Sequence, residues 1–307
     1  MESDYLLGVH DEFRSGALRY KLEDNEAFLA DDIPSAAPPF VRLRELEAAS
    51  RALEEGADDN PQLDAQLLLL LAPGASLGGA RPKATVSDSD GNLWIAKFPS
   101  GSDRYDTGAW EYVVHQLALR SGIRASEAQV RRFSDKGHTF LVRRFDREGG
   151  QGRIHYASAM TLTGRVDGED ASYLEIAEVI ASQGSQAKAD LEELWTRIAF
   201  NVLVSNTDDH LRNHGFLLTP NGWRLAPAFD MNPDPTGTGL ALDIDESDNA
   251  LDLNLVRSVA HYFRVSNADA ILDRLDSAIS TWRNVAQTVG IPESEQDAVA
   301  LAFRNPL

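Results

Sequence analysis

Apolar and polar positions alternate along this chain with two different periods. Val41, Leu43, Leu46 and Leu53 recur at near-helical spacing up to Gly56, a C-terminal stop. Asn60-Pro61 then supplies a cap and a first-turn proline for a second helix ending before Pro73-Gly74. After a loop at 74–83 the texture changes to short runs with strand character. Lys83–Ser87 and 93–99 flank Asp88-Ser89-Asp90-Gly91-Asn92 and predict a hairpin. Segments 128–133 and 139–145 predict another around Asp135-Lys136-Gly137. A helix from about Gly108 to Ser121 lies between them, capped by Asp106 or Thr107 and closed by Gly122. From about 170 the period is mainly helical, over 170–183, 187–205, 266–289 and 292–304. One hairpin interrupts it, 214–219 with 223–228, joined through Pro220-Asn221-Gly222. The pattern predicts an α+β fold in two lobes, a strand-rich N-terminal lobe (1–147) and a mainly helical C-terminal lobe (148–307). Arg147-Glu148-Gly149-Gly150-Gln151-Gly152 reads as the linker.

Composition narrows what such a fold can do. Over 307 residues, 29 Lys+Arg face 48 Asp+Glu, a net charge of −19 that repels phosphate backbones and disfavours direct nucleic-acid binding. The absence of cysteine excludes disulfides, a thiolate nucleophile and Cys-based zinc sites. The longest apolar run, 67–73, is too short to span a bilayer, and Met1-Glu2-Ser3-Asp4 is acidic rather than a basic leader. A soluble, cytoplasmic protein is expected.

The stretch Ser205-Asn206-Thr207-Asp208-Asp209-His210-Leu211-Arg212-Asn213 follows a long helix and precedes a hairpin, so it should form a loop. Asp208 and Asn213 stand in the order D-x-x-x-x-N, and sixteen residues separate Asn213 from Asp230 at the end of the hairpin. Kinase-type phosphoryl transfer needs these parts: an Asp to take the substrate hydroxyl's proton, an Asn for one magnesium, and a second Asp joining metal to phosphates. The plainer reading is that Thr207, Asp208 and Asp209 end a helix and that Asp230 is a turn residue. Asp209 competes as base, but its spacing to Asn213 is one residue short. His210 and His214 form an i,i+4 pair that could ligate metal on a helix, which Gly215 and the following strand argue against.

The first half supplies complementary chemistry. Lys97 sits inside a strand pattern, where it can reach phosphates if oriented by a helix glutamate such as Glu111, or serve as an edge-strand gatekeeper. The glycines of 74–83 could cradle phosphates without matching a Walker A or G-x-G-x-x-G motif. Arg143-Arg144-Phe145-Asp146-Arg147 falls where a two-lobed kinase has its adenine-binding connection; otherwise it is a solvated basic patch. The acidic loop at 243–248 lacks the EF-hand pattern and reads as solvated.

Together these residues resemble the HipA-like serine/threonine kinases, toxins of bacterial toxin–antitoxin modules. The resemblance rests on Ser76-Leu77-Gly78-Gly79-Ala80-Arg81-Pro82-Lys83, Trp94-Ile95-Ala96-Lys97-Phe98-Pro99 and Glu111-Tyr112. It continues through Val142-Arg143-Arg144-Phe145-Asp146-Arg147, Thr207-Asp208-Asp209-His210-Leu211-Arg212-Asn213 and Leu225-Ala226-Pro227-Ala228-Phe229-Asp230. It implies a two-lobed, protein-kinase-like fold that uses ATP and Mg2+. Asp208 becomes the catalytic base, and Asn213 and Asp230 the magnesium ligands. Lys97 pairs the phosphates, and 78–83, with Gly78, Gly79 and Lys83, forms the loop over the nucleotide. Backbone groups of Arg143 and Phe145 hold adenine, and His210 lies beside the phosphates. Ser76 aligns with the serine that family members autophosphorylate, which ejects the loop and shuts off ATP binding.

Two departures stand out. Arg143 replaces the family's usual hinge glutamate, and the chain is expected to lack the N-terminal subdomain of long members. The latter is similar to the short HipT type, whose missing subdomain is a separate small protein. Family partners are a DNA-binding antitoxin and an aminoacyl-tRNA synthetase substrate phosphorylated on serine, which arrests growth. The competing readings are a small-molecule kinase of aminoglycoside or choline type, and a catalytically idle module that binds an antitoxin.

Overall fold

The computed structural model describes residues 11–29, 37–56, 81–149 and 152–303. The helix expected from Asn60-Pro61, and Ser76, Gly78 and Gly79, lie outside the described residues. In chain order the elements are α1 (Leu43–Glu54), β1 (Lys83–Ser87), β2 (Leu93–Lys97), α2 (Thr107–Arg120), β3 (Ala128–Arg132), β4 (His138–Arg143), β5 (Arg147–Glu148) and β6 (Gly152–Arg153). They continue with β7 (Tyr156–Ser158), α3 (Ala159–Thr163), α4 (Tyr173–Gln183), α5 (Ala187–Val204), β8 (Gly215–Thr219), β9 (Gly222–Leu225), α6 (Leu253–Ser258), α7 (Ala268–Ile279), α8 (Trp282–Val289) and α9 (Glu293–Val299). This is an α+β fold that packs as two units, Met1–Ala109 with Glu127–His155, and Trp110–Ser126 with Tyr156–Leu307.

In the first unit an antiparallel sheet runs in the order β1-β2-β4-β3. One face buries Ala84, Val86, Trp94, Ala96 and Leu141 against Leu43, Leu46 and Ala49 of α1. Burial of Leu43 or Leu46 contributes about 2 kcal/mol each. Val41 belongs to a 3-10 turn (Phe40–Arg42), whose tighter period swings it away from that face, leaving it 86% exposed. The start of α2 is pressed on β4, since a Cβ on Gly108 would lie 2.0 Å from the His138 carbonyl oxygen. Asp106 secures this junction by accepting from the His138 N–H (2.8 Å), His138 Nδ1 (2.6 Å) and the Ala109 N–H (3.2 Å). Burial pushes its carboxyl up, but these bonds and the charge of His138 outweigh it and hold the carboxyl below its ordinary value.

The described ends of the stretch expected to be a linker pair as two short antiparallel strands, with Arg147 opposite Arg153 and Glu148 opposite Gly152. The reason is ionic. Arg144 donates to both Asp146 oxygens (2.9 and 2.8 Å) and to the Phe13 and Arg14 carbonyls (2.8 and 3.0 Å). Arg147 grips the Glu12, Arg14 and Gly16 carbonyls, and Asp146 accepts from the Gly16 N–H at 2.7 Å.

The second unit is built around α5. Leu191, Leu194, Trp195, Ile198, Phe200, Val202 and Leu203 are all buried, so the helix forms the unit's interior, with buried Asp190, Arg197 and Asn201 as a polar stripe along one side. Asp190 in its first turn accepts from Arg124 Nη2 (3.0 Å), Arg224 Nε (2.8 Å) and the Leu225 N–H (3.0 Å), which pins β9 to the helix. Strands β7-β8-β9 form an antiparallel sheet. The single helix expected over 266–289 is two, with Ser280 and Thr281 between them. There the Thr281 hydroxyl donates to the Ala278 carbonyl at 2.7 Å, competing with helical bonding. Among the described residues no helix is long and apolar enough to cross a membrane.

Candidate active site

The end of α5 determines how the loop after it presents its acids. Ser205 takes a left-handed conformation (φ 48°), which stops the helix and turns the chain. The Asn206 N–H returns to the Asn201 carbonyl (2.9 Å), and Asn206 Nδ2 donates to Asn201 Oδ1 (3.1 Å). Two residues later the neighbouring acids part. Asp208 is exposed, whereas Asp209 is buried at 4% exposure. Asp209 Oδ2 accepts from the Tyr173 hydroxyl (2.6 Å), Asn201 Nδ2 (2.8 Å) and His214 Nε2 (2.8 Å). Burial and the adjacent Asp209 charge push the Tyr173 phenol well above its ordinary value, so it stays a donor. Asp209 is therefore an anchor, and Asp208 is the carboxylate of the pair that can meet a substrate.

Asn213 closes a 3-10 turn (Leu211–Asn213), and its Nδ2 donates to the Asp208 carbonyl at 3.0 Å. His210 and His214 do not form a helical metal pair: they flank this turn, and His214 is committed to Asp209. Asp230 follows a segment fixed by three bonds. The Ala226 N–H donates to Gly215 O (2.8 Å), Arg197 Nη2 to Ala226 O (2.8 Å), and the Ala228 N–H to Arg124 O (2.7 Å). Asp230 lies five residues beyond β9 rather than in a strand, with φ 59°. A left-handed aspartate costs about 1 kcal/mol or more, and such strain persists only where neighbours enforce it.

Those neighbours belong to the Asp208 loop. The Asn232 N–H donates to Asn206 Oδ1 (3.1 Å), the Asp234 N–H to Ser205 O (2.9 Å), and the Thr207 hydroxyl to Asp234 Oδ2 (3.0 Å). This seam carries Asp208, Asn213 and Asp230 on one framework. Hard oxygen donors of this kind suit magnesium, which keeps several waters and shares phosphate ligands. The buried Asn232 Oδ1 has no hydrogen-bond partner among the described residues, an acceptor that metal-bound water would satisfy. His210 Nδ1 is likewise buried without a partner. Among the described residues no cluster of three or more His, Asp or Glu side chains could hold a metal by itself.

In the other unit Lys83 and Lys97 are direct partners across β1 and β2, with Phe140 of β4 next in the row. Lys97 is 8% exposed on an interior strand, so the edge-gatekeeper reading does not apply. The two lysines therefore stand side by side on one face of the sheet. The row beside it, Thr85, Ile95, Val142 and Ala128, is mostly apolar. Arg143 is exposed and its N–H is given to Glu127 O (2.9 Å), leaving its carbonyl as the group that could meet adenine. Phe145 is half-buried, between Arg144 and Asp146 of the ionic clamp. The basic run is thus not a solvated patch. Burial and the neighbouring Arg144 pull Arg147 down to about 10, still charged at neutral pH. Glu111 is buried on α2, in the second unit. The acidic loop folds on itself, with Asp245 Oδ1 capping the Ser247 and Asp248 N–H groups at 2.8 and 2.9 Å.

The sequence reading gave Asn201, Asn206, Asn232 and Tyr173 no role, and weighed His214 only as a metal ligand. One signal was there: an asparagine in the otherwise apolar run from Ile198 to Val204.

Comparison with known proteins places this geometry in context. A family model described as HipA-like C-terminal domain matches residues 75–289. The toxin YjjJ of Escherichia coli K12 is 26% identical over 236 residues, 72% of this chain and 50% of its own length. The putative kinase Y4mE of Sinorhizobium fredii is 26% identical over 243 residues, 71% of this chain and 54% of its own. The chain thus spans about half the length of these curated relatives. HipA of Shewanella oneidensis MR-1, from a toxin–antitoxin system solved with HipB and operator DNA, matches with a TM-score of 0.59 at 18% identity. That match covers 74% of this chain and 62% of HipA, and the likeness is one of fold: α+β and kinase-like.

Proposed function

The chain belongs to the HipA-like C-terminal domain family, and from that premise we propose that it is an ATP- and magnesium-dependent serine/threonine protein kinase that inhibits growth. The observation that carries the reading is the parting of Asp208 from Asp209 at the end of α5, with Asn213 and Asp230 on the same framework. Asp208 takes the proton from the substrate hydroxyl as its oxygen attacks the γ-phosphorus of ATP and the bond to the β-phosphate oxygen breaks. Asn213 and Asp230 would hold magnesium, which supplies neutralising charge for the phosphates. By the family resemblance Lys97 and Lys83 would attract phosphates, Glu111 would orient Lys97, and His210 would lie beside the phosphates. The carbonyl of Arg143 and the N–H of Phe145 would take adenine, under the loop of Gly78 and Gly79.

The relatives named as a toxin and a putative kinase support growth inhibition by phosphorylation. An aminoacyl-tRNA synthetase is the proposed substrate, and Ser76 the proposed autophosphorylation site. HipA's solution with HipB and operator DNA supports a DNA-binding antitoxin as partner. The charge of −19 favours leaving the DNA to that partner. A separate small N-terminal-subdomain protein and a cytoplasmic location complete the proposal.

The test is to incubate the protein with γ-labelled ATP, magnesium and a cell lysate, and identify labelled proteins by mass spectrometry. Label should appear on a synthetase serine and on Ser76 with wild type and on neither with Asp208→Ala. Equal labelling by the two would overturn the assignment of the base, and no labelling by wild type would overturn the kinase.

A further inference from the structure

Two short segments bear the acids of the proposed site, and one buried side chain joins them. Asn206 is 1% exposed. Its N–H and Nδ2 both go to Asn201 on α5 (2.9 and 3.1 Å), while its Oδ1 accepts the Asn232 N–H (3.1 Å). Asn232 Nδ2 in turn lies 3.4 Å from Asp230 Oδ1. A carboxamide serves both directions, because it carries a donor and an acceptor on the two arms of one planar group. An aspartate would set an acceptor against Asn201 Oδ1, and an apolar residue would leave Asn232 N–H and Asn201 Oδ1 buried without partners.

We infer that Asn206 is a positioning residue that holds Asp230 for the metal, acting through Asn232. This rests on the kinase reading above. The left-handed backbone of Asp230 needs an outside restraint, and the Asn206–Asn232 bond is the part of the seam nearest to it. The other two bonds, from the Asp234 N–H to Ser205 O and from Thr207 to Asp234, lie farther along. Loss of the Asn206 side chain therefore frees the Asp230 end while the rest of the seam stays closed. Supporting groups of this kind cost about 10–100-fold in metal affinity when removed.

The experiment measures Mn2+, a paramagnetic stand-in for magnesium, binding to the full chain with a non-hydrolysable ATP analogue by electron paramagnetic resonance. Asn206→Ala and Asn232→Ala should each weaken Mn2+ binding about tenfold or more. The double variant should be no weaker than the weaker single, because both cut one relay. Thr207→Val removes a bond of the same seam without touching the Asp230 end. It should lose comparable stability in urea yet bind Mn2+ within about twofold of wild type. If Asn206→Ala does not fold, Asn232→Ala carries the test, since its side chain is half-buried and its deletion leaves the Asn206 bond to the Asn232 N–H intact. Wild-type Mn2+ affinity in the alanine variants would overturn the inference, as would equal weakening in Thr207→Val. Wild type that binds the analogue but takes up no Mn2+ would instead sink the magnesium site itself.

Discussion

Asp146 and Asp209 are two of the four aspartates buried among the described residues, one in each unit, and their partners differ in kind. Asp146 in the strand unit is met by cations: two nitrogens of Arg144 and, at 3.0 Å, Arg147. Asp209 in the helical unit is met by a phenol, a carboxamide and an imidazole. Arg144 meets Asp146 with a planar two-nitrogen fork, and the other guanidinium N–H groups of Arg144 and Arg147 grip carbonyls of 12–16. Three donors from separate elements converge on one oxygen of Asp209 and fix its loop to within a hydrogen bond's tolerance. The clamp holds a chain segment down, whereas the network places a neighbouring residue, Asp208.

The sharpest break of this comparison is between the two adjacent acids. Asp208→Ala should cut phosphoryl transfer by about 10³-fold or more while changing stability by no more than about 0.5 kcal/mol. Single-turnover kinetics beside urea unfolding would measure both, and a variant that keeps its rate removes Asp208 from the mechanism. Asp146→Ala should cost about 3–5 kcal/mol, because it strands the buried Arg144 guanidinium. A loss under about 1 kcal/mol would show that the carbonyls of 13 and 14 alone satisfy that arginine. Asp209→Ala should cost about 2–3 kcal/mol, leaving three buried donors unmet. It should also slow transfer, through misplacement of Asp208 rather than loss of a reacting group.

Smaller effects separate the units by pH. Asp106 and Asp146 have folded pKa values held below the ordinary range by His138 and by Arg144 with Arg147, despite burial. Their stabilisation is complete above the unfolded carboxylate pKa and is lost as pH falls through the lower folded values. Tyr173 runs the other way: its raised folded pKa gives stability that is full below about pH 10, the unfolded value, and declines as pH rises toward the folded one. Asp106→Asn should flatten the acid limb of the stability profile, and Tyr173→Phe the alkaline limb. If either variant kept the wild-type slope, its carboxyl or phenol would not be the group that titrates.

Much of the fold was legible in the chain because strand and helix periods are local. The hairpin at Lys83–Ser87 and the spans of α4 and α5 follow from residues within about ten positions of one another. The order Asp208, Asn213, Asp230 and the resemblance built on it were readable for the same reason. The exclusion of thiolate and disulfide chemistry needed composition alone. What tertiary structure decided was always a matter of partners from far along the chain. Asp208 and Asp209 are the same residue side by side, and only Tyr173, Asn201 and His214 make one an anchor and leave the other exposed. A solvated patch stayed open as a reading of the basic run after β4 until 11–16 supplied carbonyls for it to grip. An edge position stayed open for Lys97 until β1 and β4 closed on both sides of its strand. Burial and hydrogen-bond pairing are properties of a neighbourhood in space, and a hydroxyl 36 residues upstream of an aspartate gives no periodic signal that it will meet it.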